Sequence, residues 1–189
     1  MYTYVIDDKI ELRPLTVFHT EPLYRLIQDS REHLRDFLIF VEYTTKEDHT
    51  RKFVEETVVT NAKLESFVSV IYVDDCVAGL VGFNSIDHQN KRAEIGYWLG
   101  EPYTGKGVMT KAAKAIVTYG FETLGLNRID LKAAATNHKS RNIAKRLGFT
   151  EEGIIREAEW MHDRYLDHVH CGLLKRDYEK VSGVPCEKN

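Results

Sequence analysis

A basic excess is absent from this 189-residue chain. It carries 26 Lys and Arg against 29 Asp and Glu, a formal net charge of -3. No overall electrostatic footprint for nucleic acid follows from that balance. A long apolar run is also absent. The longest uncharged stretch, Cys76–Ile86, is far short of the ~18–20 residues that cross a bilayer. The N-terminal MYTYVIDDKIELR has no basic start followed by an apolar run, so no secretory signal is expected. Cysteines are few: Cys76, Cys171 and Cys186 lie far apart, with no CxxC pair. That fits free thiols in a reducing cytoplasm and gives no metal-ligand spacing. His168 and His170 would share a strand face, but no third ligand is spaced to complete a zinc site. Four prolines, no repeat and no low-complexity linker argue for one domain over residues 1–181, with a loose polar tail at 182–189.

Hydrophobic residues make up 43% and charged residues 29%, within the range of chains that bury a core. Lys9–Arg13 alternates and reads as a first strand. Thr16–Gln28 reads as a helix with Phe18, Leu23, Leu26 and Ile27 inward. A short helix follows near Ser30–Phe37. Another begins at Thr44, where Glu47 three residues on has capping-box spacing. Ser66–Val73 and Cys76–Ser85 are β-rich and flank a tight Asp74-Asp75 turn. Arg92–Gly100 is a further strand. From Val108 to Leu124 apolar residues recur at three and four, which predicts a long amphipathic helix. A strand at Arg128–Ala134, a helix at Asn137–Leu147 closed by Gly148, and a hairpin from Glu152–Met161 and Arg164–Leu174 complete the chain. The class is α+β, with strand–helix–strand units in the second half.

The most informative stretch is Tyr97–Thr110, YWLGEPYTGKGVMT. It leaves a strand, turns through Gly100, Gly105 and Gly107, and enters a helix. First-turn amides have no intrahelical partner and sit at the positive end of the dipole. Glycines let backbone approach a bulky anion, and Lys106 adds charge. This is the chemistry of a phosphate or pyrophosphate pocket, although a glycine-rich turn with a solvated lysine has the same local pattern. Gly100 to Lys106 also matches a P-loop, but the next residue is Gly107 where that loop needs Ser or Thr for magnesium.

The same segment resembles the acetyl-coenzyme A loop of the GCN5-related N-acetyltransferase superfamily, Gln/Arg-x-x-Gly-x-Gly/Ala. Gly107 keeps the central glycine, while Thr104 and Met109 depart at the two ends. EIGYWLG before the loop, NRIDLKAAATNHKSRNIAKRLGF after it, and EEGIIREAEW beyond are similar to the branch that acetylates ribosomal-protein N-termini. The resemblance runs from about Ile10 to Tyr178. It implies a mostly antiparallel twisted sheet flanked by helices, acetyl-coenzyme A as co-substrate, and no metal.

The resemblance also implies site residues. The strand ending Tyr97-Trp98-Leu99 would pair its backbone with the pantetheine arm. Amides of Gly105, Lys106, Gly107, Val108, Met109 and Thr110 would hold the pyrophosphate. Asn137 matches a coenzyme-contacting asparagine, and it is equally a good helix N-cap. Asn142 and Lys145 lie on the same helix, Lys145 within reach of a coenzyme phosphate or simply solvated. Many members protonate the leaving thiolate with a tyrosine at the position held here by Ala144, which has no proton to give. Ser140, three residues after Asn137, is the substitute. Glu159 in REAEW is the expected base, on a strand face with Ile155, Glu157 and Met161, where apolar neighbours would raise its pKa; Glu157 and Glu94 are runners-up. The expected acceptor is a protein N-terminal α-amine, and the expected assembly is a homodimer. The rival readings are a small-amine acetyltransferase (polyamine, amino sugar or antibiotic) and a coenzyme-binding module without turnover.

Overall fold

The computed structural model describes residues 3–182. Eight strands form one sheet in the spatial order β1-β2-β3-β4-β5-β6-β8-β7. In chain order these are β1 (Tyr4–Val5), β2 (Ile10–Pro14), β3 (Phe67–Val73), β4 (Cys76–Asp87), β5 (Arg92–Leu99), β6 (Arg128–Ala134), β7 (Thr150–Met161) and β8 (Arg164–Leu174). The helices are α1 (Thr20–Asp29), α2 (Arg31–Arg35), α3 (Phe40–Tyr43), α4 (Glu47–Ala62), α5 (Val108–Glu122), α6 (His138–Arg146) and α7 (Lys175–Ser182). The α+β expectation is borne out. Residues 183–189, where most of the expected tail lies, fall outside the described residues.

Local chemistry explains the turns. Asp74 and Asp75 take φ of 47° and 61°, the left-handed pair that a two-residue hairpin demands and that Asp tolerates better than most residues. His162 and Asp163 repeat the device at 50° and 59° between β7 and β8. The β5–α5–β6 unit is a helical crossover joining the sheet's parallel pair, the connection that parallel neighbours require. Its helix buries Val108, Met109, Ala112, Ala113, Ile116, Val117, Gly120 and Phe121 against the sheet. A Cβ on Gly120 would stand 2.7 Å from Phe83 Cζ, so only glycine lets helix and sheet approach this closely. Phe83 and Phe121 are among the largest fully buried side chains; truncating either to Ala should cost about 3–5 kcal/mol. The other face of the sheet is covered by α1–α4, with Leu23 and Val54 packed on Val70 and Leu80.

The N-terminal half departs from the expected boundaries. Phe18 is 86% exposed in a 3-10 turn, Val17–His19, rather than inside the first helix. Thr44 ends α3, its hydroxyl donating to Phe40 O at 2.9 Å, and α4 starts at Glu47 after Lys46 with no side-chain cap. The capping box forms instead at Thr16 and His19. β1, α3 and α7 are additional elements.

One feature of the sheet positions the site. β5 and β6 pair in parallel over only three residues, Arg92–Glu94 against Arg128–Asp130. Beyond Glu94, β5 continues to pair with β4, and β6 continues to pair with β8. The facing edges, Ile95–Leu99 and Leu131–Ala134, therefore diverge. The closed end is tied by buried Asp130, which accepts from Arg92 and, at 2.8 Å, from Arg128 Nε. Arg128 also donates to Glu152 at 2.8 Å. These hydrogen bonds raise the Arg128 pKa and hold the Glu152 carboxyl below its usual range.

Candidate active site

The divergence opens a cavity of about 1000 Å³, at the upper end of small-ligand sites. Tyr97, Trp98 and Leu99 line it from β5, and Leu131–Ala134 from β6. Strand alternation sends Tyr97 toward the α5 and α6 side, among the large core cluster. Trp98 goes the other way, packing with Ile27, Leu34 and Val41 and tilted against Phe40. The Trp98 side chain thus has a packing role as well as a place in the wall.

The loop after β5 enters as Gly105, Gly107, Val108, Met109 and Thr110. Gly105 and Gly107 take φ of 75° and 77°, and a Cβ on either would meet no atom within 4 Å. Gly107 is the N-cap of α5; no side chain caps that end, and its first turn holds no acid. The first-turn amides thus point outward without an intrahelical partner, at the positive end of a 15-residue helix. Lys106 does not line the cavity; its Nζ donates to Pro102 O at 2.7 Å. Its side chain braces the loop in this arrangement.

From α6 come Asn137, Ser140 and Asn142. Asn137 is the N-cap, its Oδ1 accepting from Ser140 N at 3.1 Å, so the capping reading holds while the residue still faces the cavity. Lys145 is exposed and outside the lining, whereas Lys139 and Arg146 of the same helix line it. Ser140 Oγ lies 3.0 Å from the Tyr97 hydroxyl. Burial pushes the Tyr97 phenol up to about 12, so it stays protonated at neutral pH. Ala144 is buried and takes no part.

Glu159 reaches the cavity from β7. Its environment differs from the expected apolar one: Oε2 lies 2.9 Å from His168 Nε2 on β8. Glu157 leaves the expected row. It sits in a bulge at φ 52°, with its amide donating to Asp167 Oδ1 at 2.8 Å. Glu94 lines the cavity, paired with Lys132 at 2.5 Å. Sequence reasoning missed His168 as the partner of Glu159, the Tyr97 hydroxyl beside Ser140, and the part of the wall formed by His33 and Asp36. Only His168 had a signal, its even spacing from His170 on one strand face. Among the described residues no group of three His, Cys, Asp or Glu could hold a metal.

An uncapped helix end with open glycine backbone and two unpaired strand edges fits a long phosphate-bearing ligand with amide groups in its arm. Residues 9–150 match the Acetyltransferase (GNAT) domain. The chain belongs to that family. The enzyme is accordingly an acetyl-coenzyme A-dependent N-acetyltransferase. It is 34% identical over 184 residues to the putative ribosomal N-acetyltransferase YdaF of Bacillus subtilis (strain 168), covering 95% of this chain and 98% of that one. It is 32% identical over 165 residues to the ribosomal-protein-serine acetyltransferase of Escherichia coli (strain K12), covering 87% and 92%. Among solved structures, the ribosomal L7/L12 α-N-protein acetyltransferase RimL in complex with coenzyme A superposes with a TM-score of 0.89 at 28% identity, covering 92% of this chain and 98% of that one.

Proposed function

We propose that this acetyltransferase, a single domain over residues 1–181, moves the acetyl group of acetyl-coenzyme A to a protein N-terminal α-amine of the ribosomal-protein type, by direct transfer in a ternary complex. The observation that carries this reading is the divergence of β5 from β6, with the uncapped α5 terminus and Glu159 both in the wall of the cavity it opens. The named acceptors of the relatives support the protein N-terminus.

The amides of the Gly105–Thr110 loop would hold the pyrophosphate, and the free edge of β5 would pair with the pantetheine amides. Asn137, Asn142 and Arg146 would meet the nucleotide end. The thioester, when bound, supplies an activated acetyl carbon with a thiolate leaving group. Glu159 accepts the proton of the attacking amine, directly or through one water. A backbone N–H of β5 stabilises the charge that develops on the carbonyl oxygen. Ser140 Oγ–H protonates the departing sulfur. Tyr97, kept protonated by burial, donates its own proton to Ser140 as that happens, and solvent restores the phenol. A ribosomal-protein acceptor would place the enzyme in the cytoplasm. We also propose a homodimer, supported by the resemblance alone and open to light scattering.

A second reading keeps the chemistry and takes a polyamine or another small amine; Asp36, Glu94 and Glu159 in the cavity wall suit a cationic acceptor. Steady-state thiol release across peptides, polyamines and amino sugars tests both. The proposal expects the largest kcat/KM for a peptide with a free α-amine. A polyamine outrunning every peptide would replace it with the second reading, and coenzyme binding without transfer would leave a module lacking turnover.

A further inference from the structure

The β7–β8 hairpin is not a regular ladder. Ile155 pairs with His168 and Glu159 pairs with Leu166, so Arg156, Glu157 and Ala158 stand against Asp167 alone. Uninterrupted pairing from Ile155 would set Glu159 opposite Arg164. It would then lie four residues from His168, roughly 13 Å along the strand. The two extra residues halve that separation to about 7 Å and keep Glu159 on the same face, since a shift of two preserves the alternation. At that diagonal spacing long side chains meet. Asp167 pins the bulge by accepting the Glu157 amide at 2.8 Å, and Glu157 takes a positive φ of 52°. A non-glycine residue there carries strain of order 1–3 kcal/mol, so the hairpin holds a costly shape whose visible result is the 2.9 Å contact between Glu159 and His168.

We propose that His168 is a positioning residue for the transfer reaction: it holds one oxygen of Glu159 and leaves the other facing the cavity to accept the amine's proton. The proposal rests on the function proposed above. A carboxylate has no proton to donate, so His168 Nε2 must carry the hydrogen in this bond. A neutral imidazole orients the carboxylate while leaving it basic. A protonated imidazole would form an ion pair that weakens it as a base. Other titratable or charged groups face the pair across the cavity. They are His33 and Asp36 from α2 and the turn after it, Glu94 from β5, Lys111 from α5, Lys132 from β6, and Lys139 and Arg146 from α6. Glu94 is tied to Lys132 at 2.5 Å and Lys111 to Asp7 at 2.7 Å. His170 follows His168 on the same face of β8.

The test uses the full chain with acetyl-coenzyme A and an acceptor that the wild type acetylates. His168→Ala should lower kcat/KM by about 100-fold, the loss typical of a catalytic group misplaced by an ångström. KM for the coenzyme should not change. His168→Gln, whose amide can donate one N–H at similar reach, should recover most of the loss. Wild-type kcat/KM in His168→Ala overturns the proposal. So does equal loss in both variants, because a merely structural role would give that result. The pairing is also read without turnover, by ¹⁵N NMR of the His168 ring. Glu159→Gln must shift the ring-nitrogen resonances at neutral pH, and unmoved resonances overturn the pairing even where no acceptor has been found. A wild type that acetylates no amine while its His168 ring resonances respond to Glu159→Gln would refute the proposed function and leave the pair intact.

Discussion

Gly107→Ala separates backbone strain from ligand crowding. Gly107 has φ of 77°, and a Cβ there would meet nothing within 4 Å. The folded protein therefore pays only the left-handed conformation, about 1–2 kcal/mol for a residue with a side chain. For a chain of this size that lowers Tm by roughly 2–8 °C. Gly125, in the turn after α5, is the internal control. It has φ of 65°, equally open space, and no place in the cavity wall. Gly125→Ala should carry a similar Tm penalty with coenzyme affinity unchanged. At Gly107 the added methyl stands where a pyrophosphate would approach the first-turn amides. Losing one charge-assisted hydrogen bond costs about 1.5–3 kcal/mol, which weakens Kd by about tenfold or more. Differential scanning calorimetry reads the strain, and titration calorimetry with coenzyme A reads the affinity. If Gly107→Ala binds the coenzyme as tightly as Gly125→Ala does, the pyrophosphate does not sit on this loop.

Glu159→Gln should reduce kcat by about 10²–10⁴-fold, the range of general base catalysis, with coenzyme affinity retained in the same titration. Tyr97→Phe and Ser140→Ala should each slow transfer. Their double variant should be little slower than the worse single one, because two groups in one proton relay are not additive; full additivity in kcat would disconnect them. Arg128 lowers the Glu152 pKa. Its stabilising contribution is therefore present above the unfolded carboxylate range and lost as pH falls through the lowered folded value. Glu152→Gln should accordingly show its largest Tm deficit near neutral pH, and the deficit should close in acid. A deficit that grows in acid would contradict the pairing.

The elements set by local chemistry were legible. The Asp74-Asp75 turn, the three-and-four stripe of α5 and the Asn137 cap each depend on residues close in sequence, and the structure places all three as read. The family resemblance carried the loop and most of the wall. What escaped depends on contacts far apart in sequence. Nothing between Arg92 and Leu99 says that pairing with β6 stops at Glu94, because that is decided by the crossover through α5. The alternation of β7 reads straight through Arg156–Ala158, since a bulge of two extra residues keeps the parity on either side. Thr44 and Glu47 have capping-box spacing, yet the Thr44 hydroxyl is taken by Phe40 O. Lys145 and Arg146 are adjacent on α6, about 100° apart around the axis, and of the two Arg146 lines the cavity.

Tandem mass spectrometry of a peptide offering both a free N-terminal α-amine and a lysine, incubated with the enzyme and acetyl-coenzyme A, puts the whole assignment at stake. The acetyl group should appear on the α-amine, and Glu159→Gln should nearly abolish it. Acetyl on the lysine alone, or α-amine acetylation at an undiminished rate in Glu159→Gln, would contradict the account.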